Sequence, residues 1–86
     1  MSFEVRLSKR ANRELSSLQS SIRDRIIARL EELRDDPFPH GVMKLQGRKN
    51  LYRTRVGDYR ILYEVLTKAK LVLVDKIDHR GNVYEP

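Results

Sequence analysis

The stretch Leu51-Tyr52-Arg53-Thr54-Arg55-Val56-Gly57-Asp58-Tyr59-Arg60-Ile61-Leu62-Tyr63 constrains this chain more than any other segment. β-Branched and aromatic residues flank Gly57-Asp58, so it reads as two strands joined by a two-residue turn. Glycine at the first central position suits a type II′ turn, whose twist matches the flanking strands. Such a turn fixes the register: Val56 faces Tyr59, Arg55 faces Arg60, and Arg53 faces Leu62. Side chains alternate along a strand, so Arg53, Arg55 and Arg60 share one surface. Like charges directly opposite each other destabilise a sheet by roughly 0.2–1 kcal/mol per pair. A chain that accepts this cost has a use for the field, and clustered guanidinium groups point to a phosphate ligand. The plainer alternative is three arginines splayed into water.

The rest of the chain places that hairpin in a fold. Phe3, Val5 and Leu7 alternate with Glu4 and Arg6, a short first strand. Ser8 is the expected N-cap of a helix carrying Ala11, Leu15 and Leu18 on one side. Ser21-Ile22-Arg23-Asp24 resembles a capping box and opens a second helix, with Ile22, Ile26, Leu30 and Leu33 as its apolar stripe. The charges between those positions, Arg29 among them, read as a solvated face. Asp36-Pro37-Phe38-Pro39 stops the helix. Residues 40–50 form a connecting loop, with His40 as a loop residue. After the hairpin, a turn near Thr67–Lys70 leads to a third strand from Leu71 to about Ile77, and a last short segment falls at Val83-Tyr84.

The order β-α-α-β-β-β(-β) is an α+β layout in one domain spanning 1–86: a helical hairpin packed on one face of a mainly antiparallel, twisted sheet. Tyr52, Val56, Tyr59, Ile61, Tyr63 and Val65 lie opposite the arginines and give the helices a surface to pack on. At 86 residues, with 40% apolar and 35% charged residues, the chain is long enough for one core. It has no cysteine, so it has neither a disulfide framework nor a thiolate metal site. The longest aliphatic run, Leu71-Val72-Leu73-Val74, is far too short to span a bilayer, and Met1-Ser2-Phe3-Glu4 lacks the apolar region of a signal peptide. A cytoplasmic protein without membrane contact is expected.

Charge is uneven. Residues 1–43 carry eight Lys/Arg against seven Asp/Glu, and residues 44–86 carry ten against five. The basic half contains the hairpin, as expected of a surface that meets nucleic acid or an acidic protein.

Lys44-Leu45-x-Gly47, then Tyr52-Arg53-x-Arg55-x-Gly57-Asp58-Tyr59-Arg60-Ile61-x-Tyr63, then His79-Arg80-x-x-Val83-Tyr84 resembles the RelE/ParE toxin superfamily. Phe3-x-Val5-x-Leu7-Ser8-Lys9-x-Ala11 is similar too, so the resemblance covers essentially the whole chain. It implies a toxin of a toxin–antitoxin pair, restrained by a cognate RelB-type antitoxin in an assembly with two copies of each chain. The chain looks closer to RelE-type toxins, which cleave mRNA in the ribosomal A site, than to ParE-type toxins, which poison DNA gyrase. The resemblance places catalytic basic residues at Arg53 and Arg55, a charge-stabilising arginine at Arg60, a late arginine at Arg80, and a base-stacking aromatic at Tyr84. A ParE-like gyrase inhibitor, or a degenerate member that only binds RNA or antitoxin, is the alternative.

Cleavage of RNA through its own 2′-hydroxyl needs a base for the 2′-proton, cations for the crowded phosphorane, and an acid for the departing 5′-oxygen. No metal or cofactor is required. Arginine stays charged near neutrality, so Arg53, Arg55 and Arg60 suit the electrostatic role and not the basic one. His79, whose unperturbed pKa is about 6.5, or Arg80 is the expected acid, and the base stays open. Lys44, Arg48 and Lys49, in the loop before the hairpin, are expected to grip RNA phosphates or the ribosome. Glu64 falls on the arginine face opposite Leu51, where it is expected to orient an arginine, with the role of base as the alternative.

Overall fold

Seven elements follow one another in the computed structural model, which describes residues 2–79. They are β1 (Glu4–Leu7), α1 (Lys9–Ser16), α2 (Ser20–Asp35), β2 (Met43–Lys44), β3 (Leu51–Val56), β4 (Tyr59–Leu66) and β5 (Leu71–His79). Arg80, Tyr84 and the segment expected at Val83-Tyr84 lie outside the described residues.

Ser8 caps α1 as its residue type predicts: its hydroxyl accepts the Ala11 N–H at 3.0 Å. The capping box expected at Ser21–Asp24 does not form. Helix α2 starts at Ser20, with Gln19 in the cap position and no side-chain cap bond. Arg23 holds that entry instead, donating to the Leu18 carbonyl at 2.9 Å and so closing the turn between the helices. At the other end Asp36 accepts the Phe38 N–H at 3.0 Å around Pro37.

The sheet order is β1-β5-β4-β3-β2. Every pairing is antiparallel except β1 with β5. The loop expected over residues 40–50 therefore contains a short edge strand, β2. Alternation sorts the side chains as the sequence requires. Val56, Ile61, Tyr63, Val65, Val72, Val74 and Ile77 turn toward the helices and enclose Ala11, Ile26, Leu30 and Leu33. Tyr63 is fully buried, and its hydroxyl donates to the Pro37 carbonyl at 2.7 Å. Burial pushes its phenol well above the usual tyrosine range.

The edge strands are short, so both inner strands run past them. β1 ends at Leu7, opposite Val74 of β5. Beyond that point the Ser8 hydroxyl donates to the Asp75 carbonyl at 2.8 Å, and the Ile77 N–H donates to Glu14 Oε1 of α1 at 2.7 Å. β2 ends opposite Tyr52 and Arg53 of β3. There Arg29 of α2 donates to Thr54 Oγ1 at 2.6 Å and to the Arg55 carbonyl at 2.9 Å. Arg29 thus does not belong to a solvated face: the missing strand leaves groups that its guanidinium reaches across to satisfy.

Candidate functional site

The tight turn of the hairpin sets the site. Gly57 takes φ 59°, the left-handed region that the first central position of a type II′ turn demands. A Cβ there would lie 3.3 Å from Arg25 Nη1, so the arginine of α2 would have to shift slightly to admit one. The register is the one the turn dictates, with Val56 opposite Tyr59, Arg55 opposite Arg60 and Arg53 opposite Leu62. Arg53, Arg55 and Arg60 therefore stand on the face turned away from the helices.

Their surroundings differ. Arg55 is exposed and Arg53 half-buried, with its Nη2 3.1 Å from the Met43 sulfur. Arg60 is only 8% exposed and lies opposite Asp78 of β5. Asp78 also pairs with Lys76, Nζ to Oδ2 2.7 Å. The positive field is therefore strongest toward the β3 edge and balanced toward β5.

His79 is not brought to that face. It lies opposite Tyr59, on the helix side of the sheet, and the two rings meet edge to face with centroids 5.0 Å apart. Lys44 pairs with Tyr52 and so also belongs to that side. Lys44, Arg48 and Lys49 are exposed and line a shallow depression of about 540 Å³ in the loop between β2 and β3.

One site feature has no local sequence signal. The β4–β5 ladder shifts between Leu62 and Tyr63: Leu62 pairs with Lys76 but Tyr63 pairs with Val74, and Asp75 is the extra residue. The bulge brings Asp75 beside Glu64. Burial, then a hydrogen bond that the protonated Asp75 donates to Glu64, and then the charge of Glu64 raise the Asp75 carboxyl to about 7, with Arg48 opposing. The Asp75 carboxyl therefore exchanges its proton near neutral pH. Glu64, expected to orient an arginine, thus has Asp75 as its neighbour.

The family described as "ParE toxin of type II toxin-antitoxin system, parDE" matches residues 5–84. The chain is 30% identical over 88 residues to the putative toxin RelE1 of Methanocaldococcus jannaschii, covering 99% of this chain and 98% of that one. Two solved toxin–antitoxin complexes share the fold. The archaeal RelE–RelB complex from Pyrococcus horikoshii OT3 matches with a TM-score of 0.84 at 33% identity, over 96% of this chain and 100% of that one. The complex RelBE2 of Mycobacterium tuberculosis matches with a TM-score of 0.81 at 25% identity, over 93% of this chain and 100% of that one.

Proposed function

This chain belongs to the RelE/ParE superfamily of toxins, on its RelE side, and from that premise we propose that it is a ribosome-dependent endoribonuclease. It cleaves mRNA in the ribosomal A site and so stops translation. The observation that carries the reading is the set of three arginines in register on the open face of one hairpin.

The 2′-oxygen of the message attacks phosphorus as a base takes its proton, and the bond to the 5′-oxygen breaks as that oxygen gains a proton. A cyclic phosphate and a free 5′-hydroxyl result. Charge grows on the non-bridging oxygens during attack. Arg60, held by its burial, and Arg53 or Arg55 meet that charge with permanent cations whose planar forks grip two oxygens at once. Asp75, beside Glu64, supplies a proton-handling group on the same face, while Arg80 acts as acid and Tyr84 stacks on a base. His79 lies on the other side of β5 and supports Tyr59. A domain this small offers little concavity, so the ribosome orients the message and the toxin adds the charge.

The partner is a RelB-type antitoxin that covers the basic face, in an assembly of two toxins and two antitoxins; two related toxins were solved in complex with such partners. Among the described residues no helix is long and apolar enough to cross a membrane.

Primer extension on translated mRNA after induction tests the reading. Wild-type chain yields cuts in the reading frame; Arg60→Ala and Arg60→Lys, with native far-UV circular dichroism, do not. Full cleavage by both variants refutes it. The description of the matching family names ParE, so the second reading is the one the ParE-type resemblance implies, inhibition of DNA gyrase. Supercoiling inhibition without mRNA cleavage selects that one, and RNA binding without either activity selects a degenerate toxin.

A further inference from the structure

A cleft opens where β2 stops. That strand covers only Met43–Lys44, so among the described residues no strand pairs with the β3 edge beside Thr54 and Arg55. The segment Pro39–Val42 lies across the gap. The Val42 N–H donates to the Pro39 carbonyl at 3.1 Å, and Gly41 takes φ 88° at the third position. Those two features define a type II turn, which puts exposed His40 at its corner on a backbone the hydrogen bond holds. Arg29, His40, Met43, Arg53 and Arg55 line a cleft of about 370 Å³.

The charge inside is one-sided, and the lining residues include no carboxylate. From α2 comes Arg29, held by Thr54 and the Arg55 carbonyl and paired with Glu32 at 2.9 Å. β3 contributes Arg53 and Arg55, and β2 contributes the thioether of Met43. Arg60 does not reach this space. The arginines thus fall into two groups, Arg60 inside the sheet and Arg53 and Arg55 at its rim.

We propose that the cleft is a second phosphate subsite, which receives a backbone phosphodiester of the message strand adjacent to the scissile one, with His40 donating to it. The identity of the ligand rests on the RNA-cleaving reading above. A strand laid over the β3 edge has one phosphate against Arg60 on the open face and its neighbour in the cleft. Arg53 and Arg55 border both places, so they bridge the two grips. An imidazolium at position 40 offers a donor and a charge, whereas the neutral ring offers a donor alone.

The test uses the full chain and a single-stranded RNA bearing 2′-methoxy groups throughout, which binds but has no nucleophile. In NMR titrations with this RNA the His40 ring protons and the Gly41 amide shift strongly. Amides of the distant Thr67–Lys70 turn stay in place. His40→Gln weakens binding about threefold at pH 6 and lowers the slope of log affinity against log salt by about 0.7, the single-strand value for one phosphate contact. A His40 that does not move, or a salt slope unchanged in His40→Gln, overturns the proposal. A second arm uses a base-paired ribosomal RNA hairpin; perturbation of His40 by the hairpin alone overturns the message-strand assignment. Failure of the nuclease reading looks different: ribosome-dependent cleavage is absent while the His40 shifts persist.

Discussion

Arg60 and Ile61 are neighbours on β4 and stand on opposite sides of the sheet. Ile61 is wholly enclosed between the strands and helices; Arg60 is nearly as hidden but packs on the side the helices leave bare. On the covered face, burial removes apolar surface from water and the gain is non-directional, so many aliphatic residues serve equally well. On the bare face a cation is kept within a sheet, opposite a like charge from Arg55, and stability alone does not account for that choice. The two faces separate what holds the fold from what the fold presents.

Substitutions on alternate residues of one strand sharpen or break that separation. The largest effect is expected from Arg60→Ala, which lowers ribosome-dependent cleavage on the order of a hundred- to a thousand-fold, about 3–4 kcal/mol of transition-state stabilisation. Primer extension together with circular dichroism reads it, and a collapsed fold with unchanged specific activity breaks the contrast. Ile61→Ala reverses the pattern. It costs about 2–5 kcal/mol of stability, a drop in Tm of roughly 10–40 °C, while cleavage per folded molecule at low temperature stays near wild type.

Tyr63→Phe leaves the Pro37 carbonyl without its donor, an expected loss of about 1 kcal/mol in urea unfolding with an unchanged m-value. The smallest effect concerns Asp75 on the bare face. Its carboxyl binds a proton more tightly in the folded chain, at about 7 against the usual 3.8. The native state therefore holds more protons than the unfolded state between those values. The contribution is fully present below 3.8 and is lost as pH rises toward 7. Asp75→Asn is thus expected to match wild type near pH 4 and to exceed it above pH 7 by on the order of 1 kcal/mol or less, because water partly screens the group. Parallel Tm–pH curves for the two chains sink this expectation.

The hairpin was legible because a two-residue turn leaves no freedom in the register: Gly57 determines which residues oppose Arg53, Arg55 and Arg60. The apolar stripes of both helices were legible through their spacing. What escaped depends on distant partners. Arg29 lies on the polar side of α2, and its reach to the β3 edge follows from the brevity of a strand that comes later in the chain. The turn over Thr67–Lys70 is too loose to set the register of β5, so the bulge that brings Asp75 to Glu64 carries no local mark. His79 illustrates the same limit, since that one-residue shift decides which side of β5 it takes.

Glu14 and Arg29 meet opposite rims of the sheet, a carboxylate against the Ile77 amide and a guanidinium against the Arg55 carbonyl. One rim asks for an acceptor and the other for a donor, so each helix carries the key to its own lock. A folding intermediate with α1 and α2 exchanged sets carboxylate against carbonyl and guanidinium against amide, and both contacts repel. Polarity at these two points thus gives the helical layer a handedness of docking that greasy stripes alone do not specify.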